Sequence, residues 1–334
     1  MTAGTGSAAA REQRAEIDQL AEATLAALHA PSILNTQPWR WRTRGNDVEL
    51  RVDADRRLAG VDPTGRLQLM SCGAALNHAL AALAAAGFAG DVVRLPEDGP
   101  PEVVARLRRG PAVDPDRSAY EAIYRRHTDR RPFADAPPAP EDLHALRTAA
   151  GRHGVELQVL TDDQVDGFAE IVSTAGAAQR EVRAYEDDVA AWTGRPRTSG
   201  DGVSVGEMTA PGGHRVPPRD FALGRMPGLA AGPGSDRGTV YAVLVVASEQ
   251  RADWLAAGEA LSDVWLTLTA RGLAASPISE VVEVPQARAA MRRLIGWTGH
   301  PAIALRIGRP SGDEAAPRTV RRSATDTVGL PGDP

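Results

Sequence analysis

Two apolar segments of matched length constrain this chain more than any other feature. Gly73-Ala74-Ala75-Leu76 leads to Gly87-Phe88, and Gly258-Glu259-Ala260-Leu261 leads to Gly272-Leu273, with the same spacing between the two glycines. Both read as helices too apolar for a surface position, so they belong in an interior, packed on each other or on a sheet. A glycine past the last apolar residue is a stop signal for each helix. Two strand-like segments, Val48-Glu49-Leu50-Arg51-Val52 and Val155-Glu156-Leu157-Gln158-Val159, precede the helices in the same order. The pairs together predict two tandem copies of one α+β unit. With 334 residues and 43% hydrophobic content, the chain has the length and apolar mass for two such units.

Composition removes several function classes. The 38 basic residues are all arginine and are outnumbered by 43 acidic ones, a net charge of -5 that argues against a nucleic-acid footprint. Asn77, His78, Asp263 and Arg271 interrupt the apolar helices, so no membrane span is predicted. Residues 1–15 are small and polar, which predicts a disordered N-terminus and no secretory signal. A lone Cys72 forms no internal disulfide and fits a reducing, cytoplasmic setting. It precedes Gly73 in a buried helix and reads as packing. His29, His78, His144, His153, His214 and His300 lack metal-ligand spacing and read as surface or capping residues. Gly202-Val203-Ser204-Val205-Gly206 fits a hydrolase elbow pattern but has no strand before it and no helix after it.

Four polar segments carry the chemistry. In the first, Ala30 to Trp41, Pro31 and Pro38 bound a loop in which Ser32, Asn35 and Gln37 offer hydroxyl and amide groups. Those groups suit either the edge of a polar ring or the loop's own backbone. It follows a helix with Ile17, Leu20, Ala21, Thr24 and Leu28 on one face. The second, Arg125-Arg126-His127-Thr128-Asp129-Arg130-Arg131-Pro132-Phe133, is a set of cationic forks with a hydroxyl among them, suited to phosphate. The third, Gly272-Leu273-Ala274-Ala275-Ser276-Pro277-Ile278-Ser279, ends the second apolar helix. The fourth runs from strand Ala302–Ile307 through Gly308-Arg309-Pro310 to the basic tail Pro317–Arg322.

These segments resemble the nitroreductase superfamily. The first is similar to its A-P-S-x-x-N-x-Q-P-W loop, which in ordinary homodimers reaches across to FMN bound mainly by the other subunit. Arg126-His127-Thr128-x-Arg130 is similar to R-[RH]-[ST]-x-[KR], which implies phosphate anchoring by Arg126 and Thr128, with His127 between them. It also implies that Arg130 lies near flavin N1 and O2 as the catalytic cation. The third segment resembles G-L-G-x-x-x-P-[IL], implying that Ser276, Pro277, Ile278 and Ser279 contact the flavin, with the Ser279 N–H facing N5 and Ser279 standing where many relatives carry glutamate. The tail resembles the C-terminal segment that closes over phosphate, implying Arg309 and Arg318 as contacts. The resemblance covers roughly residues 15 to 322.

The first half keeps the A-P-S loop and the second keeps the arginine signature, so a fused pair has the parts for one FMN per chain. This pattern resembles the Acg-like branch, in which a lid covers the nicotinamide face. The expected organisation is a first half at 16–115 and a second half at 116–334, the latter with a lid insertion at 194–238. That insertion holds eleven Gly and six Pro without a helix or strand core, and offers Met208, Phe221, Leu223 and Met226 for burial. The implied function is an FMN-dependent oxidoreductase that takes hydride from NAD(P)H and passes it through N5 to a nitroaromatic or quinone-like acceptor. The alternative is a protein that holds FMN under a closed lid with little turnover. The expected partner is a small-molecule electron acceptor, with no nucleic acid, membrane or metal, and a monomer suffices.

Overall fold

The structure, a computed structural model, describes residues 3–210, 212–221, 225–312 and 317–329. Helix α1 spans Ala3–Ala27, so residues 3–15 are helical and not disordered as composition suggested. From Ala8 to Ala15 the chain is alanine, arginine, glutamate and glutamine, all strong helix formers, which carry the helix back from the apolar face at Ile17, and the helix extends over Gly4 and Gly6 at its start. There follow β1 (Trp39–Arg44), β2 (Asp47–Val52), α2 (Arg66–Ala85), β3 (Phe88–Arg94) and β4 (Val103–Ala112). Next come α3 (Ser118–Arg125), α4 (Pro140–Gly151), β5 (Glu156–Val159), α5 (Asp162–Arg180) and α6 (Arg183–Trp192). The chain then passes through β6 (Val240–Val246), α7 (Arg251–Ala270), β7 (Ala274–Ile278), α8 (Glu280–Glu283), α9 (Pro285–Leu294) and β8 (His300–Gly308). It closes with α10 (Ala324–Thr327) and β9 (Val328–Gly329).

The strands form two sheets, ordered β3-β4-β2-β1-β9 and β7-β8-β6-β5. Apart from β9 the orders correspond: in each, two strands precede an apolar helix, two follow it, and all neighbours are antiparallel. By this topology β5 corresponds to β1, and β6 to β2. The matched segments at Val48 and Val155 are therefore one strand out of step, because short alternating apolar patterns look alike in neighbouring strands.

The two apolar helices meet at their glycines. A Cβ on Gly73 would lie 2.1 Å from Leu255 O, and one on Gly258 would lie 2.0 Å from Met70 O. The contact is reciprocal, each glycine meeting the carbonyl three residues before the other, and only a hydrogen side chain permits that approach. Each helix also feeds the other's core. Leu67 and Met70 of α2 pack with the second sheet, while Leu255 and Leu266 of α7 pack with the first. Among the described residues α2 alone is long and apolar enough to cross a membrane, and most of it is covered by protein.

Packing does not respect a boundary at residue 115. Ala122 and Ile123 of α3 belong to the first sheet's core, and β9 pairs in parallel with β1. The C-terminal tail thus crosses back to the first sheet. Among its described residues the insertion at 194–238 has two 3-10 turns, Arg197–Ser199 and Val205–Glu207, and isolated bridges of Val203 to Thr193 and of Thr209 to Leu229. It is nevertheless anchored. Asp201 pairs with Arg56 at 2.8 Å and with Arg195 at 2.9 Å, and Val203 and Met208 form a small core partly covered by Phe221. Met226, expected to be buried, is 87% exposed, and Leu223 lies outside the described residues.

Candidate functional site

A cavity of about 1240 Å³, counting its mouth, opens where α2, α7, β7, the insertion and the tail meet. Apolar side chains of Ile33, Leu67, Met70, Leu261, Ile278 and Ile303 line much of it. Such a space, apolar with a few convergent polar groups, is the usual form of a small-molecule or cofactor site.

Strand β7 is an edge strand, which is why Pro277 fits within it. Thr128 bridges to Ala275 on that edge, and Asp129 N donates to Ala275 O at 3.1 Å. This pairing brings the arginine segment beside Ser276, Pro277, Ile278 and Ser279, which all line the cavity with Thr128, Arg126 and Arg130. Ser32 and Asn35 line it as well.

The strongest electrostatic feature is a pair of buried arginines. Arg126 stacks 4.7 Å over the Trp265 ring and donates from Nη2 to His29 O at 3.4 Å, while its Nε and Nη1 find no partner among the described residues. Arg321 donates to the same His29 carbonyl at 3.1 Å and to Asn35 Oδ1 at 3.3 Å, with its own Nε unpartnered. Burial, reinforced by Arg321, pushes Arg126 down to about 9, and burial pushes Arg321 down to about 10. Both stay charged at neutral pH. The same surroundings, burial first and then the two cations, hold the His29 imidazole down to about 4. Among the described residues neither guanidinium has an ion-pair partner, and a bound anion would balance that buried positive charge.

Arg130 stacks 4.9 Å over Phe221 of the insertion and donates to Glu207 O at 3.4 Å. The Glu207 carboxylate is buried with no hydrogen bond among the described residues, and burial raises its pKa. Arg219 lies between Glu280, at 3.2 Å, and Glu283, at 2.6 Å. Those carboxylates hold the guanidinium in its charged form despite its burial.

Several residues singled out in sequence have other work. Gln37 donates from Nε2 to Gly200 O at 2.8 Å and accepts from Arg322 N at 2.9 Å, and it does not line the cavity. Asn35 reaches the cavity, but its Nδ2 donates to Gly202 O at 3.0 Å and Val320 O at 3.2 Å. The two amides tie the insertion and tail to the loop, whose backbone is held at positive φ at Leu34 (46°), Asn35 (52°) and Gln37 (48°). His127 turns back to Arg125 O at 3.0 Å, Arg309 donates to Pro137 O at 3.3 Å, and none of His127, Arg309 and Arg318 borders the cavity. In the tail, Arg321 points inward where Arg318 was expected. Glu207 and Arg219 were not assigned to the site in sequence, and His214, read there as a surface or capping residue, is buried; all three border the cavity. Their only sequence signal is membership of the Gly/Pro insertion.

Comparison with known proteins agrees with these motifs. A Mycobacterium tuberculosis protein bearing the name "Putative NAD(P)H nitroreductase" is 33% identical over 342 residues, covering 98% of this chain and 96% of the relative. A second from the same organism, "Putative NAD(P)H nitroreductase acg", is 33% identical over 311 residues, 91% of this chain and 93% of its own. This chain belongs to the nitroreductase family, in the branch that includes Acg. No family model matches. Among solved structures, Mycobacterium smegmatis NfnB, an FMN-dependent nitroreductase in complex with NADPH, shares 16% identity at a TM-score of 0.42, covering 64% of this chain and 98% of its own. A Bacteroides fragilis nitroreductase with bound FMN shares 14% identity at a TM-score of 0.40, covering 64% of this chain and 97% of its own.

Proposed function

We propose that the cavity binds one FMN per chain and that the protein is an NAD(P)H-dependent oxidoreductase for nitroaromatic or quinone-like acceptors. The observation that carries this reading is the pair of buried, incompletely partnered guanidiniums of Arg126 and Arg321 at a largely apolar cavity. A phosphate dianion satisfies their free N–H groups, and the apolar walls accept an aromatic ring system. Arg126 and Arg321, with the Thr128 and Ser32 hydroxyls, would hold phosphate and ribityl oxygens. Arg130 would sit by the ring's pyrimidine edge, where its charge favours the reduced anion, and the Ser276–Ser279 backbone would flank N5. FMN, when bound, supplies hydride transfer.

Under this reading the two halves, near 16–115 and 116–334, descend from the subunits of an ordinary dimer fused in one chain. The corresponding strand orders and the reciprocal glycine contact support it. The arginine segment has no counterpart in the first half, so one site is complete and its mate lacks a phosphate clamp. Residues 194–238 act as the lid, since Val203, Glu207, Val216 and Phe221 all line the cavity. That cover also favours a second reading, a flavin-holding protein that admits pyridine nucleotide poorly. Released flavin quantified against protein, with anaerobic absorbance followed after NADH or NADPH is added, tests both. One flavin per chain with bleaching supports the oxidoreductase; one flavin without bleaching supports the holding role; failure to bind FMN refutes both.

A further inference from the structure

His214 lies in the cavity wall within the insertion, and nothing in the proposed flavin contacts uses it. Its ring is 4% exposed, with Nδ1 3.0 Å from Asp236 Oδ2. Asp236 is fully buried and fixed from several sides: Arg306 Nη1 donates to both its oxygens at 2.8 and 2.9 Å, Phe133 N at 2.6 Å and Thr239 Oγ1 at 3.0 Å. Its carboxyl is held below the usual range by the His214 and Arg306 contacts, which outweigh burial. An ionised carboxylate at that distance assigns the hydrogen of the neutral imidazole to Nδ1. Arg306 Nη1 is also 3.2 Å from Nδ1, but the carboxylate is its stronger acceptor.

This leaves Nε2, the ring nitrogen turned away from Asp236. It is buried and has no hydrogen-bond partner among the described residues. A buried polar atom without a partner beside a cavity is a place for a ligand atom. The pair has the geometry of an acid–base dyad, in which the carboxylate fixes the tautomer while the outer nitrogen exchanges the proton.

We infer that His214 is the proton donor of this site, delivering the Nε2 proton to the heteroatom of an acceptor as that acceptor is reduced. The inference rests on the flavin reading for its reductant. For a quinone, hydride from reduced anionic FMN adds the electron pair and one hydrogen, and the developing oxyanion takes the proton that the doubly protonated His214 ring carries on Nε2. The products are the hydroquinone, oxidised FMN and neutral imidazole, which regains its proton from solvent. Charge and atoms balance without another co-reactant.

The test uses the full chain loaded with FMN, reduced chemically with dithionite so that pyridine nucleotide access plays no part, and mixed anaerobically with menadione in H₂O and in D₂O. His214→Gln keeps an amide facing Asp236 but carries no group acidic enough to deliver a proton. We expect it to bind FMN as the wild type does and to be reoxidised about 100-fold more slowly, the usual range for loss of a general acid. Wild-type reoxidation should be slower in D₂O, and that solvent effect should vanish in the variant. In His214→Ala, added imidazole should restore part of the rate, which a purely structural role would not allow. Reoxidation of FMN-loaded His214→Gln at the wild-type rate overturns the assignment. Failure of the wild type to bind FMN in a fluorescence titration is a different result and removes the flavin reading together with this role.

Discussion

Replacing Arg126 with alanine separates binding from structure, because the two effects differ in sign. Arg126 is a buried cation with two unpartnered nitrogens, placed so close to Arg321 that both donate to His29 O. In the empty protein its removal relieves like-charge repulsion and uncompensated burial. Against that stands the loss of its stacking on Trp265, about 0.5–2 kcal/mol. The melting temperature of the apoprotein should therefore hold or rise. With FMN present the variant loses a charge-assisted phosphate contact, about 1.5–3 kcal/mol, or roughly ten-fold to over a hundred-fold in Kd. Flavin-fluorescence titration reads the Kd, and calorimetry of the apoprotein reads the melting temperature. Arg309→Ala and Arg318→Ala, both outside the cavity, serve as controls and should leave the Kd unchanged. Glu207→Gln provides the opposite arm. It removes a buried carboxyl group from the cavity wall and should tighten FMN binding. An unchanged Kd in Arg126→Ala, or an equal loss in Arg309→Ala, would refute the phosphate assignment.

Gly258→Ala should destabilise the protein by about 1–3 kcal/mol or more, since a Cβ there meets Met70 O at 2.0 Å and backbone cannot yield as a flexible side chain does; an unchanged melting temperature would show that the helix crossing is loose. His29 is held down to about 4 in the folded chain against an ordinary 6.5, so between those values the unfolded state binds the extra proton. Stability of the apoprotein should fall as pH drops through that window, and FMN, by adding negative charge beside the two arginines, should raise the His29 pKa. Proton NMR of the histidine ring follows both; an unchanged pKa on saturation with FMN would place the phosphate elsewhere.

The local patterns of the chain determined a good deal. Apolar composition and bracketing glycines marked α2 and α7 as interior helices, since no surface tolerates them. The spacing of Arg126, Thr128 and Arg130, and of Ser276 to Ser279, marked segments that do converge on one cavity, because each motif works within a single turn or strand edge. Local pattern could not decide which arginine of a basic tail turns inward. Arg318 and Arg321 are chemically alike, and only the docking of the tail against His29 and Asn35 selects Arg321. Nor could it decide whether Gln37 and Asn35 face a ligand or hold the insertion, because an amide bonds whichever backbone tertiary packing brings near. His214 shows the same limit most sharply. In the sequence it is one histidine in a Gly/Pro stretch, and it acquires a buried carboxylate and an unpartnered nitrogen only when Asp236, Arg306 and the cavity wall are assembled from distant parts of the chain. Burial and partner choice are long-range properties, and the fold alone sets them.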